Sequence, residues 1–79
     1  MLFIENKYYT KYRNIISQAL ARQPTGYVEI HHIVPRSIGG TDDKHNLVSL
    51  TAREHLVCHL LLPRFTIGEA RKKMFYAVH

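Results

Sequence analysis

The stretch Glu29 to His59, EIHHIVPRSIGGTDDKHNLVSLTAREHLVCH, decides the fold of this chain. It holds two adjacent histidines, then a glycine pair, an asparagine, and two histidines four residues apart. In order, these residues are His31, His32, Gly39, Gly40, Asn46, His55 and His59. Imidazoles are common metal ligands, so the stretch predicts a single metal site.

The first part of the stretch predicts a β-hairpin. Residues Tyr27 to Val34 are rich in β-branched and aromatic side chains, and their period of two places His31 and His32 on opposite faces. Leu47 to Leu50 predicts a second, short strand. The loop between the strands, Ser37 to Asp43, contains the glycine pair and needs backbone angles that other residues rarely adopt.

The last part of the stretch predicts a helix that carries two of the histidines. The run Thr51 to Glu54 is a capping box, so the helix should cover about 52–62, where Pro63 should end it. His55 and His59 lie one turn apart on this helix. Because residues at i and i+4 share a face, both imidazoles can converge on one point.

Two further helices are predicted outside this stretch. Apolar residues recur at helical spacing over about Lys7 to Arg22, with Asn6 as the N-cap. The tyrosines of this segment, among them Tyr12, could pack in the core or stack on bases, and core packing is the commoner role. A second capping box, Thr66 to Glu69, predicts a last helix over about 67–77.

These elements predict one α+β domain over residues 1–79, with a ββα core at about 27–62 between two supporting helices. A chain of 79 residues buries a small core, and such domains often depend on a disulfide, a metal or a partner chain. The single cysteine, Cys58, cannot form an internal disulfide and is predicted to be a small buried apolar residue. A metal or a partner chain is therefore expected.

The charge of the chain favours polyanionic partners. Eleven lysines and arginines against six acidic residues give a formal net charge of +5, although such charge can also serve solubility alone. The lone cysteine and the absence of a secretory signal at the N-terminus predict an intracellular protein, and no apolar run is long enough to cross a membrane.

His31, His55 and His59 are the predicted metal ligands, because one helix supplies a stacked pair and the adjacent strand a third imidazole. Three neutral imidazoles suit one divalent ion such as Zn²⁺, Ni²⁺, Co²⁺ or Mn²⁺. Mg²⁺ prefers oxygen ligands and would need a substrate phosphate to complete its site. His32 points to the other face and is either a general base or a buried core residue beside Ile30 and Val34.

The same residues carry a resemblance to a known family. The pattern resembles the HNH endonuclease motif, or ββα-metal finger; its His-His, Asn and His-x-x-x-His order is similar to that of the DNase colicins. The surrounding residues look more like the small HNH endonucleases of phages, some of them homing enzymes. The matching residues run from Glu29 to Pro35, then Ser37, Gly39, Gly40, Asn46, Leu47, Glu54, His55 and His59.

The resemblance implies a role for each of these positions. His32 would be the general base that activates water, and the three other histidines named above would bind the divalent cation. Asn46 would tie the loop in place and so orient His32. Glu29 would orient an imidazole or an arginine. Arg36 and Arg53 flank the motif as candidate phosphate contacts, although either could be an ordinary solvated arginine.

The function implied by the resemblance is a metal-dependent DNA endonuclease of phage or bacterial origin, acting in the cytoplasm of a bacterial host. It would nick or cut double-stranded DNA, leaving 5′-phosphate and 3′-hydroxyl ends. The alternative is a non-catalytic DNA-binding module whose histidines hold a structural zinc; it needs a fourth ligand and leaves His32 without a task. A chain this short leaves little surface for reading a long site, so weak sequence specificity is expected, while the oligomeric state stays open.

Overall fold

The computed structural model describes residues 3–78, and side chains as far as residue 74. The α-helices are α1 (Lys7–Ala21), α2 (Ala52–Phe65) and α3 (Gly68–Val78), and the antiparallel strands are β1 (Glu29–His32) and β2 (Leu47–Leu50). Short 3-10 helices, Arg36–Ile38 and Lys44–Asn46, lie between the strands. None of the helices described is both long and apolar enough to cross a bilayer. The predicted α+β class and the ββα order are confirmed.

Strand β2 has its predicted bounds, whereas β1 is shorter than the predicted 27–34. The register pairs Glu29 with Leu50 and His32 with Leu47. Beyond Leu50 the chain enters α2, so the residues before Glu29 have no opposite strand. Beyond His32 the amide of Ile33 still donates to the backbone carbonyl of Asn46 at 2.8 Å, and the amide of Val34 donates to the Asn46 side chain at 2.8 Å, where the regular pairing ends.

One face of the hairpin packs against the helices, and the other face is exposed. On β1, His31 is 2% exposed and Ile30 is 57% exposed, as the predicted alternation requires. The helices and β2 build a single core beneath the inner face. Its buried members are Tyr12, Ile16, Ala19, Val48, Leu50, Cys58, Leu62, Phe65 and Met74.

Helix α1 begins with the predicted cap. The Asn6 side chain accepts hydrogen bonds from the backbone amides of Tyr8 and Tyr9, each at 3.0 Å. Its amide nitrogen donates to the carbonyl of Arg64 at 3.0 Å. One asparagine therefore caps α1 and ties its start to the end of α2.

Helix α2 begins with the predicted capping box. Thr51 accepts from the amide of Glu54 at 3.1 Å, and the Glu54 carboxylate accepts from the amide of Thr51 at 2.9 Å. The same carboxylate binds both terminal nitrogens of Arg22, which follows α1. These contacts, with the Arg22 bond the largest, lower the pKa of Glu54 to about 2. The cap of α2 is therefore also a link to α1.

Helix α2 continues past Pro63 to Phe65, so the predicted end near Leu62 is wrong. A proline inside a helix removes one backbone hydrogen bond and costs about 3 kcal/mol. Leu62 and Phe65 are each 1% exposed, and burying such a side chain contributes about 1.5–3 kcal/mol. The carbonyl of Phe65 also accepts from the amide of Ile4 at 2.7 Å. Packing of the last turn outweighs the bond that proline removes.

The second predicted capping box is also wrong. Thr66 lies 2% exposed at the end of α2, and its hydroxyl donates to the carbonyl of Leu62 at 2.8 Å. The hydroxyl therefore bonds within α2 and does not cap α3. Helix α3 begins at Gly68, one residue later than predicted. A threonine hydroxyl can bond a carbonyl of the preceding helix or cap the N-terminus of the following one. Here it bonds back to α2, which extends as far as Phe65.

The glycine pair sits where the loop turns back on β1. Gly39 has φ of 103°, in the left-handed region, and nothing lies within 4 Å of the position a Cβ would take. At Gly40 the constraint is space, because a Cβ there would lie 1.7 Å from the carbonyl oxygen of Val34. The Gly40 amide also donates to the carbonyl of Pro35 at 2.9 Å.

We predict that Gly40→Ala destabilises the domain more than Gly39→Ala does. Gly39→Ala should cost about 1–2 kcal/mol, the penalty for a side chain in left-handed backbone. Gly40→Ala should exceed that loss because the neighbour it meets is backbone held by Asn46. Urea unfolding followed by circular dichroism measures both; equal losses for the two variants would contradict the close approach at Gly40.

Candidate metal centre

Three imidazoles converge between the hairpin and α2. His31 comes from the inner face of β1, and His55 and His59 come from successive turns of α2. One nitrogen from each ring lies within 4.8 Å of the others. The ring centroids are 5.1 Å apart for His31 and His55, 5.3 Å for His31 and His59, and 4.8 Å for His55 and His59.

Glu29 orients His55. The Nδ1 atom of His55 lies 2.7 Å from a carboxylate oxygen of Glu29. Hydrogen bonds from the Tyr27 hydroxyl and from His55 lower the pKa of Glu29, so this carboxylate is an acceptor at neutral pH. His55 therefore carries its proton on Nδ1, and its Nε2 lone pair is left for a cation.

His59 faces that lone pair. Its Nε2 lies 3.1 Å from Nε2 of His55, and its Nδ1 is buried without a hydrogen-bond partner among the described residues. Two imidazole nitrogens this close can share one proton or one cation. A tetrahedral ion with bonds of about 2.0–2.1 Å holds its ligand nitrogens roughly 3.3 Å apart. The donor set and its spacing therefore fit a divalent transition metal.

Burial keeps the deepest ring of the cluster neutral. His31 is 2% exposed, and its desolvation, with the neighbouring His59 and His55, lowers its pKa to about 3. Burial and the nearby His55 also lower the pKa of His59. Neutral imidazole is the form that binds metal, so protons compete weakly for these two rings at neutral pH.

His32 lies on the outer face of β1, where it meets an acidic residue of the loop. Its Nε2 is 2.8 Å from a carboxylate oxygen of Asp42, and its side chain is 33% exposed. The other Asp42 oxygen lies 3.4 Å from Arg36. The bond from His32, followed by the charge of Arg36, lowers the pKa of Asp42. The interpretation of His32 as a buried core residue is wrong, because a third of its side chain is exposed and it lies beside the exposed Ile30 on the outer face of β1.

Asn46 holds the loop that carries Asp42. Its side-chain oxygen accepts from the amide of Val34 at 2.8 Å, and its side-chain nitrogen donates to the carbonyls of Val34 at 2.9 Å and Thr41 at 2.8 Å. The loop is thus pinned at its beginning and near Asp42 by a single amide. This is the position at which a loop-fixing asparagine was expected.

Both faces of β1 open to one cleft of about 300 Å³. The structure brings Glu29 behind this cleft, through His55, and places Arg36 at its rim. Arg53 is exposed on the first turn of α2 and does not line the cleft. The polar residues that line it are His31, His32, Arg36, His55 and His59.

Cys58 lies between the paired histidines in sequence but points into the core. It is fully buried, and burial raises the pKa of its thiol to about 12. A thiol with so high a pKa is a poor metal ligand at neutral pH. Its predicted role as a small buried apolar residue is confirmed.

The sequence interpretation missed two residues that contact the site. Asp42 was one of several polar loop residues, and no periodicity marks which of them meets His32. Tyr12 was assigned to the core, where it does lie, but its hydroxyl is also 2.7 Å from Nε2 of His31. The one sequence signal for this contact is that Tyr12 carries a polar hydroxyl among the apolar residues predicted to form the buried face of α1.

Comparison with known proteins gives a family match that coincides with this centre. The family model described as HNH endonuclease matches residues 21–61, which is about half of the chain and includes both strands and most of α2. All four histidines of the cleft fall inside it. No solved structure gives a significant match to the chain.

Several curated proteins of Enterobacteria phage T4 are similar to this chain. One named probable mobile endonuclease E is 56% identical over 54 residues, covering 67% of this chain and 38% of the relative. Probable mobile endonuclease B is 66% identical over 38 residues, covering 48% and 14%. Probable mobile endonuclease D is 48% identical over 62 residues, covering 71% and 24%. The chain therefore spans well under half the length of these relatives.

We predict that Zn²⁺ or Co²⁺ raises the melting temperature of this domain through the three imidazoles. An ion present at about 100 times its Kd stabilises the folded state by roughly 2.7 kcal/mol, a shift of roughly 10 °C or more in a domain of this size. His59→Ala should remove most of the shift. His45→Ala, which alters an exposed histidine of the loop, is the matched control; equal shifts in both variants would contradict the assignment. Thermal melting with and without metal measures them.

Proposed function

This chain belongs to the HNH endonuclease family, and from that premise we propose that it hydrolyses DNA phosphodiester bonds with the help of a divalent metal ion. The products are 5′-phosphate and 3′-hydroxyl ends. The relatives named as mobile endonucleases support nuclease chemistry. Because they are much longer than this chain, the proposal covers only the segment that they share with it.

One arrangement carries the proposal. A cluster of three imidazoles lies on one face of β1, and an imidazole held by a carboxylate lies on the other, both opening to the same cleft. A metal cluster alone would fit structural zinc, and a surface histidine alone would fit many roles. Together they provide a cation site and a proton acceptor near one bound phosphate.

The metal would be held by His31, His55 and His59, a set that leaves positions for water and a phosphate oxygen. When bound, the ion supplies Lewis-acid stabilisation of the charge that develops on the phosphate and on the departing 3′ oxygen. The protein fixes the geometry of this set through Glu29, which holds His55 from behind. Zn²⁺ and Ni²⁺ suit imidazole ligands, whereas Mn²⁺ and Mg²⁺ would rely more on oxygen ligands from water and the substrate phosphate.

His32 is the proposed general base, and Asp42 determines which of its nitrogens acts. In this proposal the Nε2–H group of His32 donates a hydrogen bond to the Asp42 carboxylate, 2.8 Å away, so Nδ1 has the free lone pair. Nδ1 then takes a proton from a water molecule as that water attacks phosphorus in line with the 3′ oxygen. The bond between phosphorus and the 3′ oxygen breaks, and the departing 3′ oxygen takes a proton from solvent water to become the hydroxyl end. Asp42 stabilises the positive charge formed on His32.

Asn46 positions this base through the loop. Its three side-chain hydrogen bonds to Val34 and Thr41 hold the segment on which Asp42 lies. Loss of the Asn46 side chain should therefore misplace Asp42 and leave the His32 ring free to rotate. Asn46 thus acts on the chemistry through backbone geometry and not through contact with the substrate.

The alternative function, a DNA-binding module with structural zinc, has less support. Structural zinc sites are closed by four protein ligands, and within residues 3–78 the metal cluster comprises three. That alternative also gives no task to the contact between His32 and Asp42. The two functions make different predictions for cleavage.

We predict metal-dependent nicking of plasmid DNA by the wild-type chain and its loss in His32→Ala. Removing a general base typically costs 10²–10⁴-fold in rate. Asp42→Asn should retain the fold and lower the rate less, because the ring keeps a hydrogen-bonding partner without its charge. Conversion of supercoiled to nicked DNA with added Mn²⁺, Mg²⁺, Ni²⁺ or Zn²⁺ gives these rates.

Asp43→Asn is the control for Asp42→Asn, since Asp43 caps the adjacent 3-10 helix and does not contact His32. It should cut at the wild-type rate. The nuclease proposal fails if the wild-type chain never nicks with any of these ions, or if His32→Ala cuts as fast as the wild type. Metal binding without cleavage would favour the structural-zinc alternative.

We further predict that double-stranded DNA binds with weak sequence preference and steep salt dependence. The net charge of +5 favours phosphate contacts, and each contact adds about 0.9 to the slope of log affinity against log salt. Arg36→Ala and Arg53→Ala should each lower the slope by about one, whereas Gln18→Ala should leave it unchanged. Fluorescence anisotropy with unrelated duplexes tests this; a strong preference for one sequence at moderate salt would contradict it.

A further inference from the structure

Tyr12 of α1 reaches the metal centre from outside the segment that matches the family, residues 21–61. Its hydroxyl oxygen lies 2.7 Å from Nε2 of His31 and 2.6 Å from the carbonyl oxygen of Ile33. The tyrosine is 3% exposed, and its ring packs on Phe65 with centroids 5.1 Å apart. The hydroxyl is therefore held in place by the core and has two partners at hydrogen-bond distance.

The number of available hydrogens decides which atom donates in each of the two contacts of the Tyr12 hydroxyl. A tyrosine hydroxyl carries one hydrogen, and a backbone carbonyl can only accept. If the hydroxyl donated to His31, two oxygens would face each other at 2.6 Å with no hydrogen between them. The Tyr12 hydrogen must therefore point to Ile33, and the second contact of the hydroxyl must be one in which His31 donates.

We infer that Tyr12 is a positioning residue for the metal centre: it holds His31 in the tautomer with the proton on Nε2, which leaves Nδ1 as the metal-binding nitrogen. The inference rests on the proposed metal-dependent function and extends it to a helix outside the family match. Tyr12 acts only through His31 and does not contact the metal or the substrate.

His55, the neighbouring proposed ligand, is also held by a hydrogen bond from its second ring nitrogen, but its acceptor is of a different kind. His55 donates from Nδ1 to the Glu29 carboxylate, whereas His31 donates from Nε2 to a neutral hydroxyl. Metal-binding histidines commonly donate their other N–H to such an acceptor, which fixes both the tautomer and the ring orientation. A hydroxyl suits His31 because a carboxylate at this depth would be a buried charge.

Nuclear magnetic resonance tests the tautomer without any substitution. The ¹⁵N chemical shifts of an imidazole separate its protonated from its unprotonated nitrogen, and the signals of His31 can be assigned with His31→Gln. We expect Nε2 to be protonated and Nδ1 unprotonated in the wild-type chain before metal is added. Protonation on Nδ1 instead would overturn the inference whatever the variants do.

Tyr12→Phe tests the consequence for the metal. It keeps the ring on Phe65 and removes only the hydroxyl, so His31 should populate both tautomers. Loss of such a partner typically weakens metal binding 10–100-fold. Titration with Co²⁺, followed by its visible absorption bands and by competition with Zn²⁺, measures the affinity independently of cleavage.

Tyr9→Phe is the matched control, because Tyr9 lies on the same helix and its ring also contacts Phe65. It should bind Co²⁺ like the wild type. If Tyr12→Phe binds Co²⁺ as tightly as Tyr9→Phe does, the inference is wrong and the proposed function stands. If the wild-type chain binds neither ion, the proposed function fails and the inference fails with it.

Discussion

The burial of a histidine in a core position is the constraint on which this domain depends. His31 occupies an inward position of β1 and is 2% exposed, so each polar atom of its ring needs a partner that a hydrocarbon core cannot provide. Helix α1 supplies the Tyr12 hydroxyl to its Nε2, and the rings of His55 and His59 on α2 lie edge-to-face against the His31 ring. The packing of both helices against the hairpin is thus inseparable from the construction of the site.

On the outer face of β1, the side chain is positioned by the loop between the strands and not by core packing. His32 meets solvent and a loop carboxylate, and its geometry depends on loop backbone that Asn46 and the two glycines hold. The strand therefore separates a largely buried imidazole cluster from a partly exposed pair of histidine and carboxylate. Because neighbouring strand residues face opposite sides, His31 and His32 can serve the two proposed tasks separately, cation binding on one face and proton transfer on the other.

Local sequence signals predicted the parts of the structure that short-range forces decide. The period of two assigned His31 and His32 to opposite faces, and the Thr51 to Glu54 capping box placed the start of α2. The same kind of signal failed at Pro63 and Thr66, because core packing and a hydroxyl contact within α2 override local preference there. Contacts between distant segments, such as Tyr12 with His31, have no periodic pattern in the sequence that would identify both partners.

Pro63 also has an effect on the ligand one turn before it. With no N–H, it cannot donate to the backbone carbonyl of His59, so the helix is held less tightly there than at His55. The ring of His59 likewise lacks a partner at Nδ1 among the described residues, whereas His55 is fixed by Glu29. Of the three proposed ligands, His59 therefore has the fewest contacts that fix its ring. In the proposed metal centre, His59 is therefore the ligand expected to adjust its position to ions of different radius.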